Sequence, residues 1–114
     1  MDSNRKDTYQ IMANAEAELD AIVSYFVFEL GLPHIAKQII DLLMQSMRKL
    51  TIEPYIAPFM DEPEFRDKGI RRLVVEKHKI FYIVNEAKAQ IEIIHILHER
   101  QDYQRVLGDK ITTD

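Results

Sequence analysis

The chain has 114 residues, 46% of them hydrophobic and 30% charged, with no cysteine and a formal net charge of −4. That length fits one domain with one core, and the composition argues against a disordered chain. The missing cysteines exclude a disulfide scaffold, a thiolate metal site and a thiol nucleophile. No apolar run approaches the ~20 residues of a membrane span, and MDSNRKDTYQ lacks the apolar region of a signal peptide. The cytoplasm is the expected location, with no membrane partner.

Residues 1–64 carry five basic and eleven acidic residues, a balance of −6, and residues 65–114 carry ten and eight, a balance of +2. Between Arg66 and Lys79 the cations Arg66, Lys68, Arg71, Arg72, Lys77 and Lys79 face only Asp67 and Glu76. A chain that grips nucleic acid over its whole surface is usually basic throughout. Here the basic run reads either as a local patch for a partner or as a solvated hairpin.

Alternating Tyr9 and Ile11 predict a first strand over Thr8–Met12. Asn14 is the expected N-cap of a helix, with Glu16 and Glu18 suiting the positive end of its dipole. Ala15, Leu19, Ile22, Val23, Phe26 and Leu30 recur at helical steps and form its apolar face. Gly31 is placed to stop this helix and Pro33 to open the next. Ile35, Ile39, Leu42, Leu43, Met47 and Leu50 repeat the spacing, so an αα-hairpin is expected. Pro54, Pro58 and Pro63 predict a long loop over 52–69, closed by Gly69 and containing the acidic stretch Asp61-Glu62-Pro63-Glu64.

Ile70–Val75, Ile80–Asn85 and Ile91–His98 are rich in β-branched and aromatic residues, and their short connections predict an antiparallel meander. The third of these is apolar on both faces, as a central strand is. Asp102–Leu107 predicts a short C-terminal helix, with residues 1–7 and 108–114 expected to be flexible tails of a single domain. The fold class is therefore α+β in the order β-α-α-β-β-β, with the hairpin packed on one face of a twisted sheet. The other face is expected to be open to a partner or to water.

Three glycines are too few for a phosphate-cradling loop, and no serine sits in a nucleophile elbow. His95 and His98 lie three apart on a strand and point to opposite faces, which disfavours a shared metal. No cofactor is expected. His95, among isoleucines, reads as a hydrogen-bonded structural residue. His98 ends its strand beside Glu99, Arg100 and Asp102. It is either an exposed imidazole or a group that exchanges protons near neutral pH, next to an arginine able to fork onto phosphate. Tyr82 is expected as a core aromatic whose hydroxyl finds a partner. Arg71 and Arg72 face opposite sides of the sheet. The one nearer the helices needs a carboxylate, and the other is free to line the open face.

The progression Gly69-Ile70-Arg71-Arg72-Leu73-Val74-Val75, then Ile80-Phe81-Tyr82-Ile83-Val84, then Ile91 through His98-Glu99-Arg100-Gln101-Asp102 resembles the C-terminal sheet of the RelE/ParE superfamily of bacterial toxins. The helical half agrees more loosely, and the resemblance covers about residues 9–107. It implies a toxin of a type II toxin–antitoxin system, of the kind tied to plasmid stabilisation and growth inhibition. It also implies neutralisation by a cognate antitoxin.

The superfamily has two branches. RelE-like members are metal-independent endoribonucleases that cut mRNA on the ribosome. That branch would make His98 the acid/base, Arg71 or Arg72 the phosphate clamp and Arg100 a further cation. ParE-like members inhibit DNA gyrase by binding. The acidic balance, and Glu99 beside His98 where a carboxylate would repel a phosphate, favour the ParE-like reading. A third reading is a non-toxic relative that acts as a protein-interaction module. The residues expected at a partner or phosphate surface are Arg71, Arg72, Lys77, Lys79, Tyr82 and Arg100. A homodimer is compatible with the same features.

Overall fold

The structure, a computed structural model, describes residues 7–108. The two expected tails lie outside those residues except for Asp7, which is buried, and Gly108, which ends the last helix. The chain runs β1 (Thr8–Ile11), α1 (Ala13–Ser24), a π-helical turn (Tyr25–Glu29), α2 (Pro33–Ile52), α3 (Pro63–Arg66), β2 (Ile70–Val75), β3 (His78–Asn85), β4 (Gln90–His98) and α4 (Tyr103–Gly108). The expected β-α-α-β-β-β order and the short C-terminal helix are both present. No described helix is long and apolar enough to cross a membrane.

The sheet order is β1-β4-β3-β2. β2, β3 and β4 form the antiparallel meander, and β1 pairs in parallel with the first half of β4, Thr8 opposite Gln90 and Ile11 opposite Ile93. β4 is therefore internal, which explains its near-continuous apolar sequence. The β3–β4 register shifts at Phe81/Tyr82, where Phe81 faces His95 and Tyr82 faces Ile93. Ile94 is the extra residue of that bulge.

One sheet face carries Leu73, Val75, Ile80, Tyr82, Ile91, Ile93 and Ile96 against Ala15, Leu19 and Ile22 of α1 and Ile39, Leu43, Met47 and Leu50 of α2. The helical periodicity placed these residues on the inner faces of the hairpin. The expectation fails at Leu30, which is exposed. The π-helical turn is the cause. The Leu30 amide bonds to Tyr25 O, five residues back, so the wider turn rotates the residues after it out of phase with a 3.6-residue repeat. The same turn leaves Phe28 81% exposed.

Two other boundaries differ from expectation. Helix α1 starts at Ala13 with Met12, not Asn14, as its N-cap, and no side chain caps it. The Met12 amide is still bonded to Ile93 O, so the chain passes from strand to helix without a residue to spare for a cap. Gly31 does take the left-handed conformation, φ +64°, and Pro33 opens α2. β3 begins at His78, two residues earlier than expected, leaving Glu76-Lys77 as a two-residue hairpin turn.

The second sheet face is not open. Met60, Phe65 and Leu107 pack on Ile70, Phe81 and Leu97, with Ile83, Ile94, Tyr103 and Val106 around them. The segment 52–69, expected as loop, supplies α3 and the first half of this second core, and α4 supplies the rest. Its prolines start structure as well as interrupting it, since Pro63 occupies the first turn of α3.

The Tyr82 ring is fully buried, and its hydroxyl donates to Pro54 O at 2.9 Å. That bond ties the segment after α2 to the sheet. Tyr82→Phe is expected to lower stability by about 1 kcal/mol, the net value of a buried hydrogen bond, measured by urea unfolding.

Candidate functional site

The cations of β2 diverge. Arg71 lies opposite Tyr82 and so on the helix face, whereas Arg72 lies opposite Phe81 on the second face. Arg71 is the arginine expected to need a carboxylate, and among the described residues none forms a salt bridge with it. Its Nη1 donates to Ala57 O at 2.7 Å, and its guanidinium sits 3.9 Å from the Phe59 ring centre and 5.1 Å from that of Tyr55. A carbonyl and two π-faces replace the carboxylate, which suits a planar, weakly hydrated cation.

The segment carrying those rings is held in place. Arg72 N donates to Pro58 O, Met60 N to Ile70 O, and the Tyr55 hydroxyl to Glu86. Ile52, Tyr55, Ile56 and Phe59 are nonetheless exposed. The result is an immobilised apolar and aromatic patch around a guanidinium, bordered by a shallow cavity of about 290 Å³ that Asp67, Lys68 and Glu86 also line. Exposed Tyr and Phe around a half-buried Arg on a rigid support have the aromatic and arginine character of protein-binding surfaces.

Arg72 and Lys79 flank the Tyr103 ring at 5.8 and 5.1 Å from its centre, and Tyr103 packs on Phe81 at 5.7 Å. The Tyr103 hydroxyl donates to Glu62 Oε2 at 2.8 Å, and Gln104 Nε2 donates to the same oxygen at 2.9 Å. Bonds from Gln104 and Tyr103 hold the Glu62 carboxyl below its ordinary pKa, and the Glu62 contact pushes the Tyr103 phenol up. Asp102 Oδ1 accepts the Arg105 amide and caps α4. A depressed carboxyl stabilises the fold above its unfolded pKa, and that contribution is lost as pH falls through the folded value. The anchoring of α4 is therefore expected to weaken below about pH 4.5, measured as faster Leu107 amide exchange. Glu62→Gln should remove that acid step.

The opposite end of the helix face holds the histidines. His98 pairs with His78, which pairs with Val75. Along β2 this is four residues from Arg71, about 13 Å at ~3.3 Å per residue. His78 and His98 meet edge to face, ring centres 5.4 Å apart. They line a cleft of about 610 Å³ with Glu18, Ile22, Tyr25, Phe26, Lys77 and Arg100. A second lobe of about 290 Å³ shares Phe26, Lys77, His78 and His98 and continues along Ile39 and Leu42. Lys77 and Arg100, two of the expected surface cations, are thus brought to His98.

Arg71, Arg72, Lys79 and Tyr82 are not brought there, and Tyr82 reaches no surface. His98 Nδ1 accepts the Arg100 amide at 3.1 Å. The neutral ring therefore carries its proton on Nε2.

His95 and His98 point to opposite faces, as strand spacing requires. His95 Nδ1 lies 2.8 Å from Glu18 Oε2, and the Ile96 amide donates to Glu18 Oε1 at 2.8 Å. β1 stops pairing at Ile93, so Glu18 of α1 takes over the β4 edge just beyond it. Sequence reasoning assigned Glu18 to the helix dipole and missed this role. The aromatic patch was missed as well, because Tyr55 and Phe59 lie in a segment without periodicity. Among the described residues no three His, Asp or Glu are grouped to hold a metal ion.

This architecture, a helical hairpin on a four-stranded sheet closed by a short last helix, is that of the RelE/ParE-type toxins. The backbone is similar to a chain of the chromosomal ParDE TA system from P. aeruginosa, with a TM-score of 0.65, 22% identity, and 82% of this chain and 96% of that one covered. It is also similar to a chain of the toxin–antitoxin complex RelBE2 from Mycobacterium tuberculosis, with a TM-score of 0.59, 13% identity, and 82% and 99% covered. At these identities the likeness is one of fold. No curated protein matches the chain. Residues 9–103 match the family described as ParE toxin of type II toxin-antitoxin system, parDE, and the chain belongs to that family.

Proposed function

We propose that this ParE-family toxin acts by binding, with DNA gyrase as its target, and that a cognate antitoxin neutralises it. The observation that carries this reading is the separation of both β2 arginines from His98, which leaves only Lys77 and Arg100 beside it. Cleaving RNA through its 2′-hydroxyl needs a base, an acid and cations around one phosphate. Here Arg71 is clamped between aromatic rings about 13 Å along the strand from the level of His98. Arg72 is on the other sheet face, and Glu99 follows His98. The proton on His98 Nε2 also leaves that nitrogen a donor in the neutral ring, and Nδ1 is already accepting.

The patch of Tyr55, Ile56, Phe59 and Arg71 supports a protein-binding role. We assign the antitoxin to it and to the neighbouring basic run, since an acidic, apolar segment that folds on binding would satisfy both. The ParDE and RelBE2 structures named above are of toxin–antitoxin systems, which supports an antitoxin as partner.

The test adds the purified protein to gyrase and relaxed plasmid, and separately to translating ribosomes with mRNA. Loss of supercoiling with intact mRNA is the expected result. Cleavage of mRNA that disappears in His98→Ala would reverse the assignment to the RelE-like alternative.

A further inference from the structure

The geometry points to the His78–His98 pair as a proton-operated latch on the turn that carries α4. Three contacts build that turn on His98. Its own amide donates to Gln101 Oε1 at 2.8 Å, its carbonyl accepts the Gln101 amide at 2.9 Å, and its ring Nδ1 accepts the Arg100 amide at 3.1 Å. The last of these exists only while Nδ1 is unprotonated, because an imidazolium donates from both nitrogens. A proton on Nδ1 turns an attraction to the Arg100 N–H into a repulsion. Two residues beyond Gln101, Tyr103 begins α4 and its packing on Phe81. The turn is thus the lead into the second core.

The partner ring, His78, takes its proton on terms that His98 helps to set. Its residue surface is 6% exposed, and its ring meets the His98 ring at 5.4 Å across the β3–β4 ladder. Two imidazolium rings at that separation repel, so the pair takes a second proton less readily than a first. Burial first, and then the nearby His98, hold His78 below the ordinary histidine range, while Glu99 opposes them.

The charged groups facing the pair come from every neighbouring element. Glu76 and Lys77 lie in the hairpin turn, Glu99 and Arg100 come just after β4, and Glu18 belongs to α1, where its oxygens are held by His95 and the Ile96 amide. The π-helical turn contributes Tyr25 and Phe26, and α2 contributes Gln38, Ile39, Leu42 and Leu43. The nearby cations disfavour protonation and the carboxylates favour it. Since His78 is held low in the fold, its unfolded form takes a proton first, and stability falls as pH drops below about 6.5. Acid therefore loosens the latch and lowers stability together.

The experiment tracks the full chain by NMR from pH 8 to pH 5, reading the imidazole nitrogens and the exchange protection of the Arg100, Val106 and Leu107 amides. At pH 8 His98 should show the Nε2–H tautomer. As His98 takes up its proton, Arg100 protection, corrected for the intrinsic pH dependence of exchange, should fall about tenfold or more, with Val106 and Leu107 falling in step. His98→Gln should abolish the pH response. His98→Gln should also raise the pH at which His78 takes its proton, since the charged neighbour that holds it down is gone. Constant Arg100 protection, an unchanged response in His98→Gln, an unmoved His78 midpoint in His98→Gln, or α4 amides indifferent to the Arg100 change would each overturn the latch.

Discussion

Arg71→Ala is expected to weaken antitoxin binding at least ~30-fold, the effect of losing a hot-spot residue of about 2 kcal/mol. The loss comes from organisation as much as from charge. Removing the guanidinium takes away the donor to Ala57 O and the plate between Phe59 and Tyr55. The free protein should also lose about 2 kcal/mol of stability, from one charged hydrogen bond and two cation–π contacts. Phe59→Asp separates the two effects. It leaves the Arg71–Ala57 bond in place and puts a charge where an apolar partner would sit. Calorimetric titration with the antitoxin should show loss of binding for both variants, with urea unfolding strongly affected only in Arg71→Ala. Arg71, Arg72 and Arg100 all changed to Ala with antitoxin affinity unaltered would rule this surface out as the antitoxin site.

Glu18→Ala should be the most damaging single change outside the apolar core, costing about 2–3 kcal/mol. Its carboxylate accepts the amide of Ile96, a residue 1% exposed, and also meets His95 Nδ1. Deleting it orphans a buried N–H and a half-buried ring nitrogen at once, and such groups cost about 1–3 kcal/mol each. Glu18→Gln keeps an oxygen acceptor for Ile96 and should recover most of the loss. Thermal unfolding of the pair at one pH measures the difference. Equal unfolding temperatures for wild type and Glu18→Ala would show that water satisfies that edge.

The elements whose residues repeat were legible in the sequence. Leu19, Ile22, Ile39, Leu43, Met47 and Leu50 mark the hairpin because a helix returns to the same face every three or four residues. Ile80, Tyr82, Ile93 and Ile96 mark the sheet because β-branched and aromatic side chains fill a pleated surface. The C-terminal helix was legible from Asp102 and the apolar pair Val106 and Leu107.

Contacts made across the fold were hidden. Nothing local announces that Glu18 reaches Ile96, or that Phe59 and Tyr55 enclose Arg71. The bulge at Ile94 and the π-helical turn at Tyr25–Glu29 each insert one step that a fixed period does not register. The second core was hidden for a similar reason. Met60, Phe65 and Leu107 come from short segments whose apolar residues are too few to show a repeat. The same limit governs the site. The family resemblance gathered Arg71, Arg72 and His98 into one set, whereas the strand register sets Arg71 and His98 at opposite ends of one face and Arg72 on the other.

A toxin with its β2 arginines set apart from His98 in this way should inhibit by binding alone. Gyrase supercoiling measured with wild type and His98→Ala side by side tests that most directly. Inhibition by both proteins at matching concentrations, with mRNA on translating ribosomes left whole, is the result expected. Undisturbed supercoiling together with mRNA cleavage that needs His98 would contradict it.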